Sequence, residues 1–210
     1  MKLLLVFLTV FLTASTVHAQ RTGATVLNVY GGYTFKDKID FDGFYGYVDE
    51  AIQYGGGLEY FAHRTRSVEI KYVRMDTHFP LYANGGTKLN EGRDDGAISY
   101  LMIGGNNYFG GSSESKVSPY AGAGLGVGFI SIKDGGDATE FAFEFKLGMR
   151  VNTTSAVSYK FQAYFQSMLA AVGSDFYYGG GGVIAVPDHK SVNQFGLTAV
   201  LSFDFSHAKR

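Results

Sequence analysis

Residues 141–151 read Phe-Ala-Phe-Glu-Phe-Lys-Leu-Gly-Met-Arg-Val, apolar and polar or small in strict alternation. Phe141, Phe143, Phe145, Leu147, Met149 and Val151 share one face, and Ala142, Glu144, Lys146, Gly148 and Arg150 share the other. A period of two is the signature of a β-strand with two unlike faces. The pattern returns along the chain. Val157, Tyr159, Phe161, Ala163 and Phe165 oppose Ser158, Lys160, Gln162, Tyr164 and Gln166. Phe195, Leu197, Ala199, Leu201 and Phe203 oppose Gln194, Gly196, Thr198, Val200 and Ser202. Ile52, Tyr54, Leu58 and Tyr60 oppose Gln53, Gly55, Gly57 and Glu59, and Val68, Ile70 and Tyr72 oppose Glu69 and Lys71.

Eight such segments are expected, at 24–35, 51–62, 67–75, 96–109, 117–131, 140–152, 156–168 and 191–205. The fourth is the least distinct, because apolar residues occupy both its faces. The odd-numbered connections, 36–50, 76–95, 132–139 and 169–190, are longer than the even-numbered 63–66, 110–116 and 153–155. Long loops at one end and short turns at the other describe an up-and-down meander, and transmembrane barrels are built that way.

Two architectures share this alternation: a membrane barrel with its apolar face outside, and a secreted soluble ligand-binding barrel with it inside. Three features favour the first. The apolar faces are continuous and rich in Phe and Tyr, as a lipid-facing wall with aromatic girdles requires. The fifth segment puts Gly122, Gly124, Gly126 and Gly128 on its other face, where glycine makes room for long side chains in a narrow lumen. The polar faces carry both signs of charge, Glu59, Glu69 and Glu144 against Lys71, Lys146, Arg150 and Lys160. Turned inward these groups can neutralise one another, whereas a Lys or Arg facing hydrocarbon at mid-depth costs about 2–4 kcal/mol. Mixed charges on a solvated face suit the soluble barrel equally. In lipid the sheet must close, so the first and eighth strands are expected to pair. Eight strands leave a lumen that side chains fill, and Glu144, Lys146, Arg150, Lys160 and Tyr164 are expected to plug it.

The N-terminus carries a further signal. Lys2 precedes the apolar run Leu3 to Leu12, and Val17-His18-Ala19 ends in a small residue suited to signal-peptidase cleavage. The run is short of the ~20 residues of a spanning helix. The expected division is a signal peptide at 1–19, a barrel at 20–205 and a short periplasmic tail at 206–210. The chain lacks cysteine and balances 18 basic against 19 acidic residues, which excludes a disulfide scaffold and a basic nucleic-acid binder.

With these features in hand, the sequence resembles the small eight-stranded outer-membrane β-barrel family, the OmpA/OmpX-like group of Gram-negative bacteria. Ser118-Pro-Tyr-Ala-Gly-Ala-Gly-Leu-Gly-Val-Gly128 is similar to the family's glycine-alternating strand. Phe195 to Phe205 is similar to its aromatic-ended last strand, although Ser206-His-Ala-Lys-Arg210 follows here. The resemblance implies an all-β, antiparallel, up-and-down transmembrane barrel in the cell outer membrane. It also implies outer-membrane lipid and lipopolysaccharide as surroundings, and the barrel-assembly machinery as a partner. Fold resemblance assigns no activity, since such barrels serve structural, adhesive, transport and enzymatic roles.

Chemistry is sparse. His78 lies two residues from Asp76 and His189 follows Asp188, both in long loops, while His63 and His207 fall in a turn and the tail. No His stands beside a Ser on an apolar face, so no nucleophile–base–acid set is evident. Asp37, Asp40, Asp42, Asp49 and Glu50 form an acidic loop whose spacing matches no calcium loop. Gly85-Gly86 and Gly179 to Gly182 read as mobile loops. Phe176, Tyr177 and Tyr178 in the last long loop are candidates for contact with an extracellular partner, packing on the barrel rim being the alternative. The expectation is a non-enzymatic envelope protein, structural or interacting through its loops, without metal or cofactor. A conduit for small or apolar solutes and a lipid-modifying enzyme are the rival roles.

Overall fold

A computed structural model describes residues 22–41, 43–109, 116–133, 136–153, 155–172, 178–179, 182–183 and 190–205. In chain order the strands are β1 (Thr25–Thr34), β2 (Asp37–Phe41), β3 (Phe44–Val48), β4 (Ala51–His63), β5 (Arg66–His78), β6 (Leu81–Ala83), β7 (Asp95–Tyr108), β8 (Val117–Ile132), β9 (Asp137–Val151), β10 (Val157–Val172), β11 (Tyr178–Gly179), β12 (Gly182–Val183) and β13 (Lys190–Asp204). Eight of them, β1, β4, β5, β7, β8, β9, β10 and β13, form one closed antiparallel barrel. They match the alternating segments one for one. β1 closes the cylinder on β13, with Val26 opposite Asp204 and Thr34 opposite Gly196.

The alternation resolves into an outer wall and a lumen. Outward-facing Ile52, Leu147 and Phe195 are 62%, 67% and 59% exposed, while Glu59, Glu144 and Lys160 are at most 2% exposed. The fourth segment, β7, turns Ile98, Tyr100 and Met102 inward, and its opposite face carries Leu101 and Ile103. Both faces are apolar because the lumen is itself apolar at this height. Ionic residues therefore do not fill the whole lumen. Toward the long-loop end, Val73, Met75, Ile98, Ile130, Met168 and Val192 make a buried apolar core.

A second, three-stranded sheet covers that core. The expected loops 36–50 and 76–95 are not irregular: they contribute β2, β3 and β6, in the order β2–β3–β6. Ile39, Phe41, Val48 and Leu81 from this sheet, with Phe79, belong to the same buried cluster as the upper barrel residues. Gly43, with φ of +87°, turns β2 into β3 where most other residues would be strained. The Gly85-Gly86 pair forms a closed turn rather than an open loop, with Gly86 N–H donating to Ala83 O at 2.8 Å.

The sorting of connections fails at one place. β9 starts earlier than expected, so the third long-end connection shrinks to 133–136, and the short-end connection between β7 and β8 spans 109–116. The proposed signal peptide and the tail after Phe205 lie outside the described residues.

Candidate functional site

Strand parity turns the charged residues into the lumen, and strand register sets them at successive heights within it. Glu59 on β4, Glu69 and Lys71 on β5, Glu144, Lys146 and Arg150 on β9, and Lys160 on β10 are all buried, as is Tyr164. Lys160 Nζ pairs with Glu59, and Lys71 Nζ with Glu144. Lys146 Nζ lies 2.5 Å from Glu69 Oε2 and 3.7 Å from Glu144 Oε1. Arg150 donates through Nε to Ser158 Oγ (3.1 Å), and its guanidinium lies 5.4 Å from the Phe61 ring centroid. Tyr164 shares a 2.6 Å hydrogen bond with Thr34.

Neutral donors complete the carboxylates. Glu59 Oε1 accepts from Ser67 Oγ (2.5 Å), Tyr108 OH (2.7 Å) and Asn106 Nδ2 (2.9 Å), and its Oε2 accepts from Asn28 Nδ2 (3.1 Å). Glu69 Oε1 accepts from Asn28 Nδ2 (2.5 Å) and from the Tyr30 hydroxyl. Gln166 Nε2 donates to Glu144 Oε2 at 2.8 Å. Burying an ion costs several kcal/mol unless such partners satisfy it. Asn28, Tyr30, Ser67, Asn106 and Tyr108 carry no charge to mark them in the sequence, and inward parity is the signal that identifies them.

Three tiers result. Val26, Phe61, Tyr108 and Tyr120 form an apolar plug at the short-turn end. The ionic network lies above it, followed by a tier of neutral pairs, Gln53 Nε2 to Gln166 Oε1 (3.0 Å) and Tyr100 OH to Gln194 Oε1 (2.7 Å). The glycine face of β8 serves the network directly: a Cβ on Gly122 would lie 2.6 Å from Lys146 Cε.

The loop residues are otherwise engaged. His78 Nε2 lies 3.2 Å from Asp95 Oδ1 across the β5–β7 ladder, whereas its sequence neighbour Asp76 takes Arg74 Nη2 (2.8 Å) and Tyr54 OH (2.8 Å). His63 Nδ1 meets Thr65 Oγ1 at 3.1 Å. Asp40 pairs with Lys38 and Asp49 with Lys36, each at 2.6 Å. The hydrogen bond to Asp49 holds the Lys36 ammonium above its ordinary pKa. Asp37 accepts the Asn193 backbone N–H at 2.9 Å, and burial raises its carboxyl. Asp42, Phe176, Tyr177, His189 and His207 lie outside the described residues. Tyr178 is placed by its backbone alone, opposite Val183 in the β11–β12 pair. Among the described residues no three His, Asp or Glu side chains are grouped to hold a metal.

An apolar outer wall around a closed, antiparallel eight-strand ladder is the fold of the small outer-membrane β-barrels. Solved structures carry the same architecture. Neisserial surface protein A is similar over 87% of this chain and 97% of its own, at 15% identity and a TM-score of 0.56. The outer-membrane protein OprG from Pseudomonas aeruginosa is similar over 89% of this chain and 96% of its own, at 14% identity and a TM-score of 0.52. No protein-family model matches the sequence, and no curated protein matches it closely.

Proposed function

We propose that this chain is an integral outer-membrane protein with a non-enzymatic role, meeting partners through the surface that its first two long connections build. One observation carries the membrane placement: the large side chains exposed on the barrel wall are Leu, Ile, Val, Met, Phe and Tyr. Glu59, Glu69, Lys71, Glu144, Lys146, Arg150 and Lys160 are buried in the lumen, and the outward Arg74 and Asp76 pair with each other. In water such a wall would forfeit roughly 25 cal/mol for every Å² of apolar surface left wet. Lipid removes that penalty, and continuous apolar surface on this scale is rare on soluble monomers.

The interaction role rests on the contrast between the ends of the cylinder. The buried lumen side chains pair with one another through the ionic and neutral tiers. The long-loop end instead carries a folded sheet set on the barrel mouth. Cell fractionation tests the placement: the protein should partition with the outer membrane, need detergent for extraction and run with heat-dependent mobility on gels. Recovery as a detergent-free soluble protein would refute the reading. Two further measurements address the rivals. Planar bilayers should stay silent, and lipid A from cells with and without the protein should give identical mass spectra.

A further inference from the structure

The outward face of the loop sheet holds a cluster that the barrel does not need. Ile39, Phe41 and Val48 face the buried core, so the alternate residues Lys38, Asp40, Tyr45 and Tyr47 face away from it. Tyr82 of β6 lies opposite Tyr45 and joins them. Tyr45 and Tyr82 stack with ring centroids 5.5 Å apart, and Tyr47 stands edge-on to Tyr82 at 6.1 Å. Lys36 Nζ lies 4.2 Å from the Tyr47 ring centroid, and Lys38 Nζ lies 5.0 Å from that of Tyr45.

Charge decides which partner fits. Each lysine bordering the rings has its own aspartate: Lys36 with Asp49 and Lys38 with Asp40 at 2.6 Å, and Lys88 with Asp94 at 2.7 Å. A polyanion would meet three carboxylates already paired with the cations it needs, and a purely apolar partner would bury those ion pairs and the phenol hydroxyls. A neutral, hydroxyl-rich partner meets neither obstacle. Its C–H groups can pack against the ring surface that the Tyr45–Tyr82 stack and the two ammonium groups leave open, since the three tyrosines are half-buried rather than covered. Tyrosine offers rigid contact area with a polar tip. Its hydroxyls can donate to Asp40 and Asp49 and accept from the two ammonium groups, in charge-assisted hydrogen bonds.

We propose that the outward face of the β2–β3–β6 sheet, centred on Tyr45, Tyr47 and Tyr82, binds uncharged glycan chains displayed on an opposing surface. The inference rests on the surface-interaction role given above and supplies its partner class. Cross-strand aromatic pairing also stabilises the sheet itself, by about 0.2–1 kcal/mol per pair, so the test must separate binding from folding.

Full-length protein in lipid nanodiscs would be applied to an array of neutral oligosaccharides, sulfated oligosaccharides and rough lipopolysaccharide. The expected result is retention on neutral hexose oligomers. Tyr45→Ala/Tyr82→Ala should lower that retention at least tenfold, and Tyr82→Phe, which keeps the stacked ring but not its hydroxyl, should lower it several-fold. Both variants should keep the heat-shifted barrel band. Retention confined to sulfated chains or to lipopolysaccharide would overturn the inference, as would neutral-glycan binding unchanged in both variants, or none at all. In each of those cases a protein that still fractionates with the outer membrane leaves the broader surface-interaction reading standing. A soluble protein ends both.

Discussion

Glu59 and Lys160 stand 101 residues apart in the chain and form an ion pair sealed inside the barrel. Their pairing belongs to a network of three acids and four bases, and the two partners are not equivalent in it. Glu59 also accepts from Asn28, Ser67, Asn106 and Tyr108, whereas Glu59 is the hydrogen-bond partner of the Lys160 ammonium. Glu59→Gln would leave that ammonium buried beside a network with one acid fewer, a loss of about 3–5 kcal/mol by analogy with broken buried pairs. Lys160→Met removes the surplus base and leaves Glu59 its neutral donors, so it should cost less. Urea unfolding in lipid vesicles measures both, and a larger loss for Lys160→Met would contradict this account of the network.

The glycine face of β8 separates two substitutions that look alike in the sequence. At Gly122 a Cβ would collide with Asn106 Oδ1 and would lie 2.6 Å from Lys146 Cε, which its pairing with Glu69 holds in place. At Gly124 the nearest atom is the Ile103 carbonyl oxygen at 3.2 Å. Gly122→Ala should therefore lose about 1–3 kcal/mol, the usual range for overpacking. Gly124→Ala should stay within about 1 kcal/mol, because its mild crowding is offset by reduced freedom of the unfolded chain. Equal losses would show that the glycines serve the backbone rather than the lumen.

These contrasts also mark how far the sequence could be read. Phe145 beside Lys146, or Leu201 beside Ser202, assigns a strand and its two faces without any structure, because one face must meet lipid. Eight such segments then require closure. The loop sheet is harder to read although its pattern is present: Ile39 and Phe41 alternate with Lys38 and Asp40, and Asp42-Gly43 is a strong hairpin signal. Lys and Tyr on the outward face gave it a polarity unlike that of the lipid-facing strands. The apolar upper lumen, with Met75, Ile98 and Ile130, was illegible for a linked reason. Those side chains are buried by a cap that sequence alternation does not represent.

Wall and lumen make opposite demands on charge. Phe145 is 56% exposed on the outer wall. Arginine there would face hydrocarbon at a cost of about 2–4 kcal/mol, so Phe145→Arg should reduce assembly into the membrane. Gln162 is buried in the lumen and accepts from Tyr120 OH at 2.6 Å. Gln162→Glu keeps that acceptor and adds an acid where bases outnumber acids, and it should assemble close to normally. Heat-shifted gel bands from cell membranes report both, and reversed tolerances would mean that the faces are inside out.

Asp37 ties the first long connection to β13 by accepting the Asn193 N–H at 2.9 Å. Burial raises its carboxyl pKa, and backbone N–H groups partly offset the rise. The folded connection therefore holds the proton more tightly than the unfolded chain. Its contribution to stability is fullest below the ordinary carboxylate range and is lost as pH climbs through the raised value. The Asn193 amide resonance of micelle-bound protein should titrate with a midpoint above the ~3.9 of an unperturbed aspartate, and Asp37→Asn should abolish the step. A midpoint at or below the ordinary value would show that the hydrogen bond outweighs burial.

Asn90 gives the second long connection its shape. Its Oδ1 accepts the Leu81 N–H at 2.9 Å and its Nδ2 donates to Phe79 O at 2.7 Å, so one buried side chain satisfies the backbone on both sides of Pro80. Asn90→Ala would orphan both groups, at about 1–3 kcal/mol for each one left buried and unpaired. Asn90→Asp keeps an acceptor for Leu81 and loses the donor for Phe79, so it should fall between. The damage should remain local, because the barrel ladders close without this loop. Limited proteolysis should cut Asn90→Ala faster within residues 79–94 while the barrel band is unchanged. Unchanged cleavage would mean that the contacts of Phe79 and Leu81 with the upper core hold the connection without Asn90.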